Sequence, residues 1–271
     1  MRTKNRVILG GKYLDQVGAT DEYPGDVVIQ KIECKAAKTS MTATSRLGPG
    51  QRLSATHRDY QEVLVTFTIR LRKERFKERS QLFEDISTWA KEGQWLRITA
   101  KPNRRLYIDY IELPDEGNDR DFGQEYKLTL RAYSIPFWME YDATSKAVKK
   151  KASGSMTCEV AGNTDTVMDV TLKNVSGKAI SSASVTAGSS TIAFTGLDFQ
   201  KNDELLIEHM TNGLLRLRIH RATGTPGYVS VMGNRTPASS DDLYVSPGNA
   251  TVTWKGDRAC DVTVTWRGRF K

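Results

Sequence analysis

The chain has 271 residues, enough for one large or two ordinary domains, and its 38% hydrophobic and 27% charged content excludes a chain disordered throughout. Lys and Arg number 40 against 32 acidic residues, a net +8 that assigns no nucleic-acid partner by itself. No run nears the roughly 18–20 consecutive apolar residues of a membrane span, so no membrane partner is expected.

Residues 1–10 hold too short an apolar stretch for a signal peptide, which leads us to expect synthesis in a cytosol. A strand is expected over residues 27–34. Residues 35–58 are rich in Thr, Ser, Gly and Arg but poor in large apolar side chains, so they cannot build a core. An unstructured stretch longer than about 12–15 residues inside a domain is usually functional or disordered. The expectation is an arm that becomes ordered against a partner. Val63–Leu71 then places apolar residues at every odd position and mostly Thr or Arg at the even ones, the pattern of a half-buried strand.

The period changes over residues 74–90. Phe76, Leu82, Phe83, Ile86, Trp89 and Ala90 fall on one face of an amphipathic helix that Gly93 can stop. Residues 95–100 and 105–113 read as a hairpin joined through Lys101-Pro102-Asn103-Arg104, and a polar loop follows over 114–123. Residues 125–133 alternate again, with Tyr126, Leu128, Leu130 and Ala132 on one side, and are expected to complete the same sheet. The first half thus reads as a β-sheet with one helix packed on it.

Residues 142–155 shift to Ala, Ser, Thr, Gly and Lys, including Lys149-Lys150-Lys151, as expected where one domain ends. The proposed division is residues 1–141 and 142–271. Beyond it no helical period occurs. Short β-rich runs (167–174, 183–187, 191–194, 204–208, 214–220, 243–245, 251–255 and 262–267) alternate with turn clusters such as Asn212-Gly213 and Pro247-Gly248-Asn249. That pattern is an all-β sandwich, so the fold class is mainly β.

Reactive chemistry is scarce. The three cysteines, Cys34, Cys158 and Cys260, form no C-x-x-C pair, so neither a disulfide framework nor a zinc site is indicated. Three histidines, His57, His209 and His220, are the candidate general bases, and a surface or partly buried role is favoured for each. No dinucleotide-binding or Walker-type glycine pattern occurs, and no cofactor or metal is expected. The loop pairs Asp241-Asp242 and Asp115-Glu116 read as solvated carboxylates. Arg70-Leu71-Arg72-Lys73-Glu74-Arg75-Phe76-Lys77-Glu78-Arg79 is the strongest basic run, but its glutamates blunt it, and a solvated or interface-facing helix surface is favoured over phosphate binding. The aromatic cluster Phe137-Trp138-Met139-Glu140-Tyr141 is expected to pack where the first domain ends. The chain is therefore read as no enzyme.

The order of features suggests a family. A polar arm ending in His57-Arg58-Asp59-Tyr60 leads to the strand Val63–Leu71, the helix, the Trp95 hairpin, the 126–133 strand and Pro136-Phe137-Trp138. This order resembles the N-terminal domain of the distal tail protein of long-tailed bacteriophages. In the second half, Gly196-Leu197-Asp198-Phe199, then Asn202-Asp203-Glu204-Leu205-Leu206-Ile207-Glu208, is similar to that family's C-terminal galectin-like domain. So are Ser239-Ser240-Asp241-Asp242-Leu243-Tyr244-Val245 and the closing Val264-Thr265-Trp266-Arg267-Gly268-Arg269-Phe270.

The resemblance implies a tail-tube-like β-sandwich or barrel with one packed helix, followed by a galectin-like β-sandwich. It implies a homo-hexameric ring in the virion tail tip or baseplate, through whose lumen DNA passes without specific binding. Its implied partners are the tail tube protein, the tape-measure protein and the tail hub. Carried onto this chain, the arm over residues 35–60 would contact a neighbouring subunit or ring, with Arg46, Arg52, His57, Arg58 and Tyr60 as its candidate contact residues. The sugar-binding pattern of galectins, His-x-Asn-Pro-Arg with a Trp and a Glu, is absent, so sugar binding is not carried over. The alternative is a carbohydrate- or receptor-binding module using aromatics such as Trp254 and Trp266, both in strand runs where a core role is favoured.

Overall fold

Residues 6–18, 26–37, 39–43, 56–60, 62–72, 76–91, 93–113, 125–211, 213–223 and 227–271 are described by the structure, a computed structural model; for residues 39–43, 56–60, 76 and 77 it describes the backbone alone. The chain divides into two units, Met1–Trp138 with Lys271, and Met139–Phe270.

The first unit runs β1 (Val7–Leu9), β2 (Lys12–Tyr13), β3 (Val27–Lys35), β4 (Thr39–Ala43), β5 (Thr56–Tyr60), β6 (Val63–Leu71), α1 (Phe76–Trp89), β7 (Gln94–Ile98), β8 (Arg104–Ile108), β9 (Tyr110–Glu112) and β10 (Glu125–Ala132). The short strand β11 (Trp138–Glu140) leads into the second unit. As the alternation of Val63–Leu71 demands, Val65, Phe67 and Ile69 are fully buried. On the helix, Leu82, Ile86 and Trp89 are buried at the i, i+4, i+7 spacing of one face. The Trp89 indole Nε1 donates to the Lys12 carbonyl at 2.9 Å, so the large ring is sunk without an orphaned N–H. Gly93 takes a positive φ of 69° just past the helix, the conformation a glycine stop supplies.

Among the described residues, two larger sheets, not one, make up this unit beside the two-stranded pair β4 and β5. β2, β1, β7 and β8 lie side by side in the first, and β3, β6, β10 and β9 in the second. The expected single strand over residues 105–113 breaks at Asp109, whose neighbours pair in different directions: β8 with β7, and β9 with β10. Asp109 holds the corner. Its backbone N–H donates to the Arg131 carbonyl at 2.9 Å, and its carboxylate accepts the N–H groups of Tyr133 and Ser134 at 2.7 and 2.9 Å. Alternation on both sides of the corner hid the change of sheet from sequence reading.

The second unit comprises β12 (Thr144–Val160), β13 (Thr166–Asn174), β14 (Ile180–Ala187), β15 (Ser190–Phe199), β16 (Glu204–His209), β17 (Leu215–Arg221), β18 (Gly227–Ser230), β19 (Tyr244–Val245), β20 (Gly248–Trp266) and β21 (Arg269–Phe270). Residues 144–155, within the stretch whose composition marks the expected end of the first domain, are the first part of the long strand β12. That part is mostly exposed, and its ladder to β20 holds it in place.

The two runs expected at 251–255 and 262–267 belong to one strand. β20 pairs β14 through residues 252–256 and β13 through residues 260–266, passing from one layer of the sandwich to the other, while β12 follows it along nearly its whole length. The bend is marked by register shifts in β12 around Lys151, and by Lys150, whose positive φ of 54° is stabilised where its N–H donates to Asp261 Oδ1 at 2.8 Å.

One buried cluster fills the sandwich, with Phe194, Phe199, Ile207, Leu217, Val252, Trp254, Val262 and Trp266 among its members. The outer edge of β15 is covered by the segment that carries Thr236 and Ser240, whose N–H groups donate to the carbonyls of Ala193 and Thr191. Ser239 and Ser240 return the favour by accepting from the Ala193 and Thr191 N–H groups at 3.0 and 2.9 Å. Such cover removes a template for stray strand pairing.

A polar cluster closes one end. The His209 ring lies between two carboxylates, Nδ1 at 2.6 Å from Asp169 Oδ1 and Nε2 at 2.5 Å from Asp242 Oδ1, with the side chain 7% exposed. Carboxylates only accept, so both ring nitrogens must donate, and His209 is an imidazolium. Burial alone would lower its pKa, but the two hydrogen-bonded carboxylates outweigh that and raise it to about 9.

Two predictions follow from this packing. An added Cβ at Gly154 would sit 2.6 Å from Cζ2 of the buried Trp254 ring, so Gly154→Ala is expected to cost about 1–3 kcal/mol in denaturant unfolding. His209 titrates near 6.5 when unfolded and at about 9 when folded, so its stabilisation is complete below about pH 6.5 and is lost as pH rises through 9. At most about 3 kcal/mol is involved. Melting temperatures measured between pH 6 and 10 should fall across that window in the native chain and stay flatter in His209→Gln.

Candidate functional site

The histidines do not come together. His209 is locked as a structural cation; the His220 ring stacks on Tyr228 with centroids 4.9 Å apart; His57 lies on β5, in the other unit. Among the described residues, no group of three or more His, Cys, Asp or Glu is placed to hold a metal ion, and no helix is long and apolar enough to cross a membrane. Burial pushes the Cys260 thiol up to about 12 and raises those of Cys158 and Cys34 as well, the direction opposite to thiolate chemistry.

Other charged motifs disperse. Of the pair expected to be solvated, Asp241 is exposed beside Arg235, but Asp242 is buried because it serves His209 and accepts the Leu243 N–H at 2.8 Å. Asp115 and Glu116 lie outside the described residues, as does the whole polar loop 114–123. The basic run is no continuous helix surface. Arg70 belongs to β6, Lys73, Glu74 and Arg75 lie outside the described residues, and Arg79 is buried where solvation was expected. Phe137, Trp138 and Met139 are buried, while Tyr141 is 40% exposed. Trp254 and Trp266, the aromatics on which a sugar platform was considered, are only 4% and 5% exposed. The Trp266 indole Nε1 is spent on the Glu159 carbonyl at 3.1 Å.

The first unit also presents an exposed sheet face. The outward face of the β3-β6-β10-β9 sheet is polar: Lys31 pairs with Glu33, and Arg131 bridges Glu62 at 2.7 Å and Glu112 at 3.0 Å. Lys31 holds the Glu33 carboxyl below its ordinary range, and the two glutamates raise Arg131 above its own. On the helix, Glu78, Gln81 and Glu84 are exposed, leaving an acidic face opposite the buried one. β3 and β9 end the sheet among the described residues, and sheet ends are the natural places for another chain to pair.

The arm is more ordered than its composition suggested. Thr39–Ala43 and Thr56–Tyr60 form an antiparallel ladder of their own, from Thr39↔Tyr60 to Ala43↔Thr56. His57 and Arg58 pair with Thr42 and Met41 in it, and Tyr60 with Thr39; Arg46 and Arg52 lie outside the described residues. The ladder continues β3 and β6 in step. From Lys31↔Thr68 through Lys35↔Leu64 to Thr39↔Tyr60 and on to Ala43↔Thr56, each residue forward on one leg is matched by one residue back on the other. Hydrophobic periodicity could not announce these strands, since a two-stranded ribbon has no core to face. The signal available was the turn-forming composition of Gly48-Pro49-Gly50 near the middle of the segment.

No protein-family model and no curated protein matches the chain. Solved structures do. The Dit protein (gp 19.1) of phage SPP1, described as a paradigm of the hub adsorption apparatus of phages infecting Gram-positive bacteria, is 11% identical, with a TM-score of 0.62 over 99% of this chain and 100% of that one. Chains of the phage P2 baseplate in its activated conformation, with calcium or with strontium, give TM-scores of 0.52 at 10% and 11% identity over 98% of both chains. Along its whole length, the chain is thus similar in its mainly β fold to a phage distal tail protein and to chains of a phage baseplate.

Proposed function

We propose that this protein is a structural component of a phage or prophage tail tip, a distal tail protein that assembles as a hexameric ring between the tail tube and the baseplate hub. The observation that carries the reading is the likeness in fold to the SPP1 hub protein over the full length of both chains. The three histidines lie apart among the described residues, and in this reading the chain has no catalytic role.

In this reading the first unit, tail-tube-like, forms the ring, and the second, galectin-like, meets other tail proteins. Partners are further copies of the chain, the tail tube, the tape-measure protein and the hub, with DNA passing through the lumen unbound. The protein would be made in the bacterial cytoplasm and reside in the virion. The two-stranded arm is the ring contact. A lone hairpin is marginally stable in water, so one that extends beyond its sheet gains its stability on a neighbour. Carried on in the sequence, its residue count meets between Pro49 and Gly50, and Gly48-Pro49-Gly50 has the composition of a tight turn. Arg46, Arg52, His57, Arg58 and Tyr60 are the residues assigned to the contact, with exposed acidic positions such as Glu78 and Glu84 as complementary charge. A repeated head-to-tail contact of this kind closes into a ring when its rotation divides the circle.

Light scattering and negative-stain images of the chain, alone and co-expressed with the neighbouring tail proteins, test the reading: six-fold rings are expected, and a monomer under all of these conditions would refute it. Replacing residues 44–55 by Asn-Gly should abolish the rings while leaving the melting temperature within a few degrees. Arg58→Glu should weaken assembly by about tenfold or more, and more so at low salt.

A further inference from the structure

The second unit carries an apolar groove that the proposed ring does not use. β17 and β18 pair from Arg218↔Ser230 to Arg221↔Gly227, after which the chain departs: the Val231 N–H donates to the Leu217 carbonyl, and a short 3-10 turn covers Met232–Asn234. Between this departing segment and the start of β17 opens a groove of about 420 Å³. Its lining includes Met210, Leu214, Leu215, Leu217, Tyr228 and Met232. Leu214, Tyr228 and Met232 are 60%, 56% and 46% exposed, three of the eight exposed large hydrophobic side chains among the described residues. A cluster of this kind marks a contact surface.

The rim says what fits. Arg216 Nε and Arg218 Nε lie 2.8 and 2.5 Å from the same oxygen, Glu208 Oε1. One carboxylate thus serves two guanidiniums, and a positive charge is left over. The Arg218 guanidinium is fixed in place over the Tyr228 ring, 3.5 Å from its centroid. Among the described residues, neither arginine donates a hydrogen bond from its Nη atoms, and the buried Arg218 Nε has no well-aligned acceptor. Guanidinium forks of this kind hold carboxylates in two parallel hydrogen bonds. Among the described residues β18 also ends its sheet, so an extended chain can lie along it.

We infer that this groove binds an extended peptide segment of another protein in which apolar side chains alternate with carboxylates, the apolar ones seated on Leu214, Leu215 and Met232 and a carboxylate on Arg216 and Arg218. The period of two in a strand sends alternate side chains to floor and rim. A glycan fits less well, because methionine and leucine offer its hydroxyls nothing. The inference deepens the reading of the chain as an assembly component and depends on it for its biological sense, not for its chemistry.

The test is a yeast-displayed library of random twelve-residue peptides selected on the full-length protein, with a glycan array probed in parallel. Enrichment of peptides alternating Leu, Ile, Val or Phe with Asp or Glu is expected. Binding should fall about tenfold or more in Leu214→Glu and in Arg216→Glu, and with rising salt. Leu214 is exposed, and Leu214→Ser serves if the glutamate disturbs folding. No enrichment, enrichment of peptides without acids, binding indifferent to these substitutions, or a glycan signal lost through them would each overturn the inference. Ring assembly of the same variants, followed by light scattering, separates the two readings: intact rings with no peptide binding sink this inference alone.

Discussion

Each unit is organised by one long strand hydrogen-bonded on both sides. In the first, β6 lies between β3 and β10; in the second, β20 lies between β12 and the pair β14 and β13. Such a strand tolerates no slip, because a shift of one residue exchanges its buried and exposed faces. Phe67 would trade places with Thr66, and Trp254 with Thr253. The register of the strands in their own sheets, and with it the position of the arm and of the groove, is inherited from these two.

The same constraint explains why the molecule divides its labour. Carboxylates are spent on holding corners: Asp109 where a strand changes sheets, and the buried Asp242 with the half-buried Asp169 around His209. Each unit also has an exposed surface of its own. They differ in kind, an acidic helix face and a polar ribbon in one unit against an apolar groove with a basic rim in the other.

Much of the fold was legible wherever side chains alternate about a core. Val63–Leu71, the helix face of Leu82, Ile86 and Trp89, and the strands from β13 to β17 follow from periodicity alone. What escaped was held by backbone rather than by side-chain pattern. The first part of β12 exposes Thr, Ser and Lys in nearly every position, and only its ladder with β20 makes it a strand. The strands of the arm are polar for the same reason. The break at Asp109 is invisible because both flanking runs alternate. The His209 cluster joins residues 40 and 33 positions distant in sequence, a separation no local motif reports. The groove, too, was unread: Leu214, Tyr228 and Met232 look like ordinary core residues until the sheet ends beside them.

The unbroken residue count from β3 into β4 and from β5 into β6 restricts how this protein can vary over evolutionary time. Losing one residue from a single leg of the ribbon would throw the other leg out of step and transmit the error to the central strand. Losing one from each leg leaves the interior untouched. Drift in the reach of this appendage should therefore come as matched, symmetrical edits, while the body that carries it stays the same.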